Sequence, residues 1–250
     1  MSEASIKRAA LYRMVTPEHI CPFGLKSRDL LRREGYAVED HRLRSRAETD
    51  AFMAEQQVKT TPQTFIAGER VGGYDDLRRH FGKPVPDPKA TSYQPVVAVF
   101  GMALAMALAG SWASLGDVLT LRTAEWFVAF SMCILALLKL QDLESFSNMF
   151  LGYDLLAQRW VRYAYLYPFG EGLAGVLMAA GALTWISAPV AACIGTIGAI
   201  SVINAVYVER RALKCACVGG GSKVPLGFVS LTENVMMVAM AGWMAFRTWA

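Results

Sequence analysis

The chain has 250 residues, 54% of them hydrophobic and 18% charged, with a formal net charge of +4. A soluble domain of this size carries about 25% charged residues, and the deficit here is uneven: residues 1–94 hold 29 of the 46 Lys, Arg, Asp and Glu. An ordinary soluble globule, a disordered tail, a collagen-like fibre and a disulfide-stapled secreted domain are excluded, and no basic stripe offers itself to nucleic acid.

In chain order, residues 9–15 read as a strand, 21–35 as an amphipathic helix ended by Gly35, and 36–43 as a second strand. Residues 47–57 form a second helix with Ser45 or Arg46 near its start. Two short strands at 63–67 and 70–72 surround the turn Ala67-Gly68-Glu69, and 74–81 close as a helix. The order β-α-β-α-β-β-α predicts a small mixed sheet with helices on its faces. A stiff proline-rich stretch, Lys83-Pro84-Val85-Pro86-Asp87-Pro88, follows. The expected division is a domain at 1–83, a linker at 84–95 and a membrane domain at 96–250.

Beyond the linker, residues 96–116 carry no charge and are long enough for a hydrocarbon layer of about 30 Å. Residues 124–143 form a weaker span, interrupted by Lys139. Glu171 is the only charge in 163–208, a stretch divided into two spans at Ser187-Ala188-Pro189; 224–246, with Glu233, is the last. Five transmembrane helices are expected. The start, MSEASIKRAALYRM, lacks the apolar core of a signal peptide. The loops assigned inside hold Lys139, Arg159, Arg162, Arg210, Arg211, Lys214 and Lys223, against Arg122 and Arg247 outside. The expectation is a multi-pass inner (cytoplasmic) membrane protein, with a cytoplasmic N-terminal domain and an external C-terminus.

Cys21-Pro22-Phe23-Gly24 sits between a strand and a helix. A thiol at a helix N-terminus faces unpaired N–H groups and the positive dipole end, which favour thiolate. Further on come Lys59-Thr60-Thr61-Pro62 and Val71-Gly72-Gly73-Tyr74-Asp75-Asp76. These three motifs, in this order and spacing over residues 7–82, resemble the glutaredoxin family: an active-site CPxx turn, a T-x-P segment with a cis-proline, and a G-G-x-D-D glutathione loop. The resemblance implies an α/β thioredoxin-like fold, with Cys21 as nucleophile. Glutathione, as co-substrate, would then be held by Pro22, Phe23, Lys59, Thr61, Pro62, Gly73, Tyr74 and Asp75. Two departures stand out. Gly24 replaces the second cysteine, which leaves a mixed disulfide as the available chemistry and an iron–sulfur role open. Glu18 stands where the family carries lysine.

Between the last two spans lies Lys214-Cys215-Ala216-Cys217-Val218-Gly219-Gly220-Gly221-Ser222-Lys223. Two thiols at i, i+2 can hold a soft cation or form a strained, easily reduced disulfide. Lys139, Glu171, Glu233 and Asn234 are the intramembrane polar residues. Such residues are functional candidates or a structural ion pair, for example Lys139 with Glu171 or Glu233. Cys133 and Cys193 read as small packing residues.

Tyr165 to Glu171, the C-x-C-x-G of Cys215 to Gly219, and Leu231-Thr232-Glu233-Asn234 resemble the MauE (methylamine-utilisation) membrane family and its DoxX-like relatives, over residues 124–246. That resemblance implies an all-α helix bundle associated with thiol–disulfide chemistry. The leading expectation is a membrane-bound, glutathione-linked oxidoreductase passing electrons between Cys21 and the Cys215/Cys217 pair. It uses no metal; a quinone, a small thiol or a partner protein would be the acceptor. The lipid bilayer and glutathione are the expected partners, and a homo-oligomer is left open. The alternatives are soft-metal (Hg or Cu) or thiol-conjugate handling, with Cys215 and Cys217 as ligands, and an inert membrane scaffold.

Overall fold

The computed structural model describes residues 7–87, 90–217 and 224–249, of Trp249 the backbone alone. Val218, Gly219, Gly220, Gly221, Ser222 and Lys223 of the thiol loop lie outside the described residues, as does Pro88. The chain divides into two compact units, Met1–Pro88 and Lys89–Ala250.

The first unit follows the expected order: β1 (Arg8–Met14), α1 (Pro22–Arg33), β2 (Ala37–Leu43), α2 (Arg46–Glu55), β3 (Gln63–Ile66), β4 (Glu69–Gly72) and α3 (Tyr74–His80). The sheet runs β2-β1-β3-β4. β1 pairs with β2 in parallel, Leu11 opposite Asp40, and antiparallel to β3, Leu11 opposite Thr64. Ser45 caps α2, accepting from Glu48 N at 3.1 Å, while Glu48 accepts from Arg44 N. The core is small: Ala9, Leu11, Leu30, Leu31 and Leu77, with Val38, Ile66 and Phe81 packed on it. It ties the base of α1 to the sheet and so fixes the turn carrying Cys21.

The second unit is helical: α4 (Gln94–Leu115), α5 (Leu121–Gln141), α6 (Leu143–Leu151), α7 (Leu155–Arg159), α8 (Arg162–Ala180), α9 (Thr184–Val202, continuing as a π-helical turn over Ile203–Val208) and α10 (Phe228–Trp249). Four helices are long and apolar enough to cross a membrane: Gln94–Leu115, Leu121–Gln141, Thr184–Val208 and Phe228–Thr248. α8, interrupted in composition by Pro168 and Glu171, is not among them. The protein is therefore an integral membrane protein, with four such helices among the described residues where the sequence leads one to expect five.

Two details correct the sequence reading. The break in 163–208 falls at Gly181, whose φ of +65° ends α8 in a left-handed cap, whereas Pro189 is carried inside α9. Lys139, counted among loop charges, is 1% exposed within α5. Small residues allow close helix contact: Gly175 of α8 lies on Cys133 and Ala129 of α5, and Gly195 and Gly198 of α9 lie on Asn234 and Met237 of α10.

Candidate functional site

Cys21 is the N-cap of α1, 6% exposed, with Pro22 at the first helical position. Its N–H donates to Met14 O at 3.1 Å, which locks the turn onto the end of β1. Phe23, two residues further on, joins Thr60, Thr61, Pro62, Gly73, Tyr74, Asp75 and Asp76 in lining a surface cavity of about 380 Å³. The Thr61–Pro62 peptide is cis. Gly72 has φ +116°, a conformation open to glycine, and the Gly73 N–H donates to Asp76 Oδ2 at 3.0 Å. Phe23, Thr61, Pro62, Gly73, Tyr74 and Asp75 thus share one cavity wall. Cys21, Pro22 and Lys59 do not line this cavity, and Thr60 and Asp76 join it.

A residue the sequence reading missed stands behind the thiol. Arg13 is 3% exposed and grips Asp40 through both oxygens, at 2.6 and 2.8 Å. This pairing holds the Asp40 carboxyl down at about 2. The Arg13 guanidinium is an electrostatic neighbour of Cys21, and its Nη1 has no hydrogen-bond partner. A Cβ at Gly24 would come within 2.7 Å of Arg13 Cβ and 2.8 Å of Cδ, closer than packed carbons approach. The Arg13 side chain therefore occupies the space a second cysteine at position 24 would need. An arginine among a strand's alternating residues gives no sign in sequence that it points inward.

In the second unit Cys215 and Cys217 are 0% and 6% exposed, and both are free thiols. They pack with Val99 of α4, Leu135 of α5 and Val224. Cys215 Sγ accepts from Cys217 N and from Ser230 Oγ, both at 3.1 Å. The two sulfurs are unlike. Hydrogen bonding from Cys217 holds Cys215 below the ordinary thiol range; the same bond, then burial, pushes Cys217 well above it. The shared bond thus favours ionisation at Cys215 and disfavours it at Cys217.

Lys139, Glu171 and Glu233 meet beneath this pair. Lys139 Nζ donates to Glu171 Oε1 and Oε2 at 2.8 and 2.6 Å, and to Glu233 Oε1 at 2.9 Å. It also lies 5.2 Å from the centre of the Tyr167 ring. None of the three is more than 5% exposed. Glu233 Oε2 is buried without a hydrogen-bond partner, and the Glu233 carboxylate is an electrostatic neighbour of Cys217. The expected Lys139 pair is a triad, with both partners engaged. Asn234 donates to Ser230 O at 2.7 Å and lies against Gly198. Among the described residues, no three His, Cys, Asp or Glu stand together as a metal site. Cys133 is half-buried in α5, and Cys193 is exposed on α9.

A second polar knot lies at the other end of the helices. Glu125 accepts from Arg122 at 2.8 Å, Arg247 at 2.7 Å and Trp243 at 3.0 Å. Arg122 and Trp126 also donate to Ala179 O, which joins α5 to the end of α8. Sequence offered Arg122 and Arg247 only as loop charges, with no pointer to Glu125.

Fold and sites together define an integral membrane protein with a small α/β unit and a helical unit that buries a reduced cysteine pair over an ion-paired cluster. The model of the methylamine utilisation protein MauE matches residues 117–247, and the chain belongs to that family. Its N-terminal part is similar to the hybrid peroxiredoxin hyPrx5 of Haemophilus influenzae, 38% identical over 61 residues. That match covers 24% of this chain and 25% of the relative, so the chain spans about a quarter of that protein's length.

Proposed function

We propose that this protein is a membrane-bound, glutathione-linked thiol–disulfide oxidoreductase, in which a glutaredoxin-like unit over residues 1–83 exchanges electrons with the Cys215/Cys217 pair of the membrane domain. The observation that carries this reading is a complementarity. Arg13 fills the space beside Gly24, so Cys21 has no resolving thiol in its own turn, while the helical unit holds two reduced cysteines whose sulfurs share a hydrogen-bond network. Glutathione is the soluble reductant in this reading. The cavity lined by Thr61, Pro62, Gly73, Tyr74 and Asp75 supports its place beside Cys21. Similarity to a protein named as a peroxiredoxin supports a redox role for the N-terminal part. A quinone, a thiol compound or a partner protein takes the place of final acceptor.

Covalent fusion supports exchange between the two sites. The chain enters the second unit at α4, and Val96, Val99 and Phe100 of its first turns pack in the same cluster as Cys215 and Cys217. Tethering of this kind raises the effective concentration of one site at the other to about millimolar.

α8 is the fifth span in this reading. Leu166, Phe169, Leu173 and Val176 are each more than half exposed along its outer face, while Glu171 and Tyr167 are buried. A helix with an apolar exterior and a charged interior suits lipid. Five spans, with the linker end cytoplasmic, set residues 1–83 and Cys215/Cys217 on the cytoplasmic side of the inner membrane and the C-terminus outside.

The test is disulfide mapping of the detergent-purified protein under mild oxidation, by non-reducing peptide mass spectrometry, with Cys21→Ser and Cys217→Ser variants. The expected result is a Cys21–Cys215 adduct that accumulates when Cys217 is removed. The relay is wrong if Cys21 carries only glutathione while Cys215 and Cys217 are protected by added Hg²⁺ or Cu⁺; soft-metal handling then becomes the function.

A further inference from the structure

Resting on the thiol reading just given, we propose that Glu233, steadied by Lys139 and Glu171, is the base that takes the proton of Cys217 when this thiol resolves a mixed disulfide held on Cys215. Three observations lead there. The cluster sets two carboxylates against one ammonium in a space no more than 5% exposed. One carboxylate therefore lacks a counter-charge where an unbalanced charge is expensive, and the cluster has room for one proton. Both Glu171 oxygens and Glu233 Oε1 hold Lys139, which leaves Glu233 Oε2 as the buried oxygen with no partner. Ser230 is hydrogen-bonded to both sulfurs and stands one turn before Glu233 on α10, so the pair lies on the helix face that carries this carboxylate. Glu233 is an electrostatic neighbour of both sulfurs, and Cys217 is the one that also hydrogen-bonds toward it.

The step balances within the chain. Cys215 begins bonded to the sulfur of an entering group, and Cys217 begins as a thiol. The Cys217 proton moves to Glu233, and the Cys217 sulfur forms a bond to the Cys215 sulfur. The bond to the entering sulfur breaks, and that sulfur departs with the electron pair as thiolate. Over both exchanges the pair is oxidised by two electrons and an entering disulfide, such as a glutathione disulfide, is reduced. In the reverse direction Glu233 returns the proton to Cys217. Lys139 and Glu171 are positioning residues: they aim Glu233 and keep the triad's charge close to balance before and after the transfer. The other ionisable groups around the triad are Tyr163 and Tyr167 of α8, Tyr153 ahead of α7, Cys133 of α5 and Cys215.

A base and a mere neighbouring charge give opposite signs. Removing a negative charge beside Cys217 eases its ionisation and speeds its attack; removing its base slows the attack, general-base help being worth about a hundredfold or more. The experiment uses the full chain in detergent with Cys21→Ser, Cys133→Ala and Cys193→Ala, reduced and then mixed with oxidised glutathione. Acid quenching and mass spectrometry follow the glutathionylated intermediate and its conversion to the Cys215–Cys217 disulfide. With Glu233→Gln, which leaves Lys139 paired with Glu171, the intermediate is expected to accumulate. Its decay should be at least tenfold slower below pH 8 and should recover as pH rises. Decay in E233Q at the starting rate or faster overturns the proposal. If E233Q does not reach the parent's melting temperature, Glu233→Asp carries the test, since it keeps the charge and draws the carboxylate back by one methylene. Slowed decay then supports the proposal and unchanged decay overturns it. Because glutathione loads Cys215 here, failure of the Cys21 relay shows separately, as the absence of a Cys21–Cys215 adduct in C217S.

Discussion

Arg13 and Asp40 show how one buried pair sets the chemistry of a turn it does not belong to. Arg13 is buried with its charge matched by a single carboxylate that is itself 15% exposed. Asp40→Asn should therefore destabilise the first unit by about 3 kcal/mol, the range for a buried charge stripped of its partner, seen as a lower denaturation midpoint of that unit within the intact protein. The pH dependence has a definite sign. Asp40 is held at about 2 against an ordinary 3.8, so its contribution is complete above about pH 4 and is lost as pH falls through 2. Acid unfolding of the wild type should show this loss, and D40N should not. Gly24→Cys, which would restore a second thiol to the turn, must displace Arg13 side-chain carbons. It should lower the melting temperature of the unit rather than yield a stable disulfide between the introduced thiol and Cys21; an unchanged melt with that disulfide formed would refute the steric account.

The elements were legible in sequence where local rules decide them. The strand–helix order of residues 8–80 is carried by the alternating pattern, by Ser45 near the start of α2 and by Gly35 at the end of α1. The break between α8 and α9 falls at Gly181 and not at Pro189, because proline inside a membrane helix is tolerated when neighbours satisfy the freed carbonyl. The short helices α6 and α7 were not anticipated: nine and five residues are too few for a periodic signal. That Thr61, Pro62, Gly73, Tyr74 and Asp75 share one cavity follows from motifs that local backbone geometry, such as the cis Thr61–Pro62 bond, fixes in order along the chain. Arg13, Asp40 and Glu125 were not, since their roles exist only across elements 27 and 122 residues apart. Helix packing yields its own prediction. Gly198 sits so close to the Asn234 side chain that a methyl group at 198 has no room. Gly198→Ala should separate α9 from α10 and cost about 1–3 kcal/mol, read as a lower melting temperature in detergent, whereas Gly101→Ala, which meets nothing within 4 Å, should leave melting unchanged.

Across the membrane unit, polar groups are concentrated at two levels and the apolar residues between them hold the helices together. At one level Glu125 collects Arg122, Arg247 and Trp243; at the other Lys139 binds α5, α8 and α10 through Glu171 and Glu233. The second level costs stability to keep, since three charges are buried and one ammonium must serve two carboxylates. Lys139→Met tests this directly. It leaves two carboxylates facing one another in a buried space, so the variant should lose about 3–5 kcal/mol and melt well below the parent in detergent. Combining it with Glu171→Gln and Glu233→Gln removes every charge while keeping comparable volume, and should restore most of the melting temperature, because a neutral replacement of a buried ion cluster is often no worse than the cluster itself. The triple variant should nonetheless resolve the glutathione adduct on Cys215 as slowly as E233Q alone. Stability regained without resolution regained would separate what the triad does for the fold from what it does for Cys217. A triple variant as unstable as K139M would mean that shape, and not charge balance, holds α5, α8 and α10 together at this level.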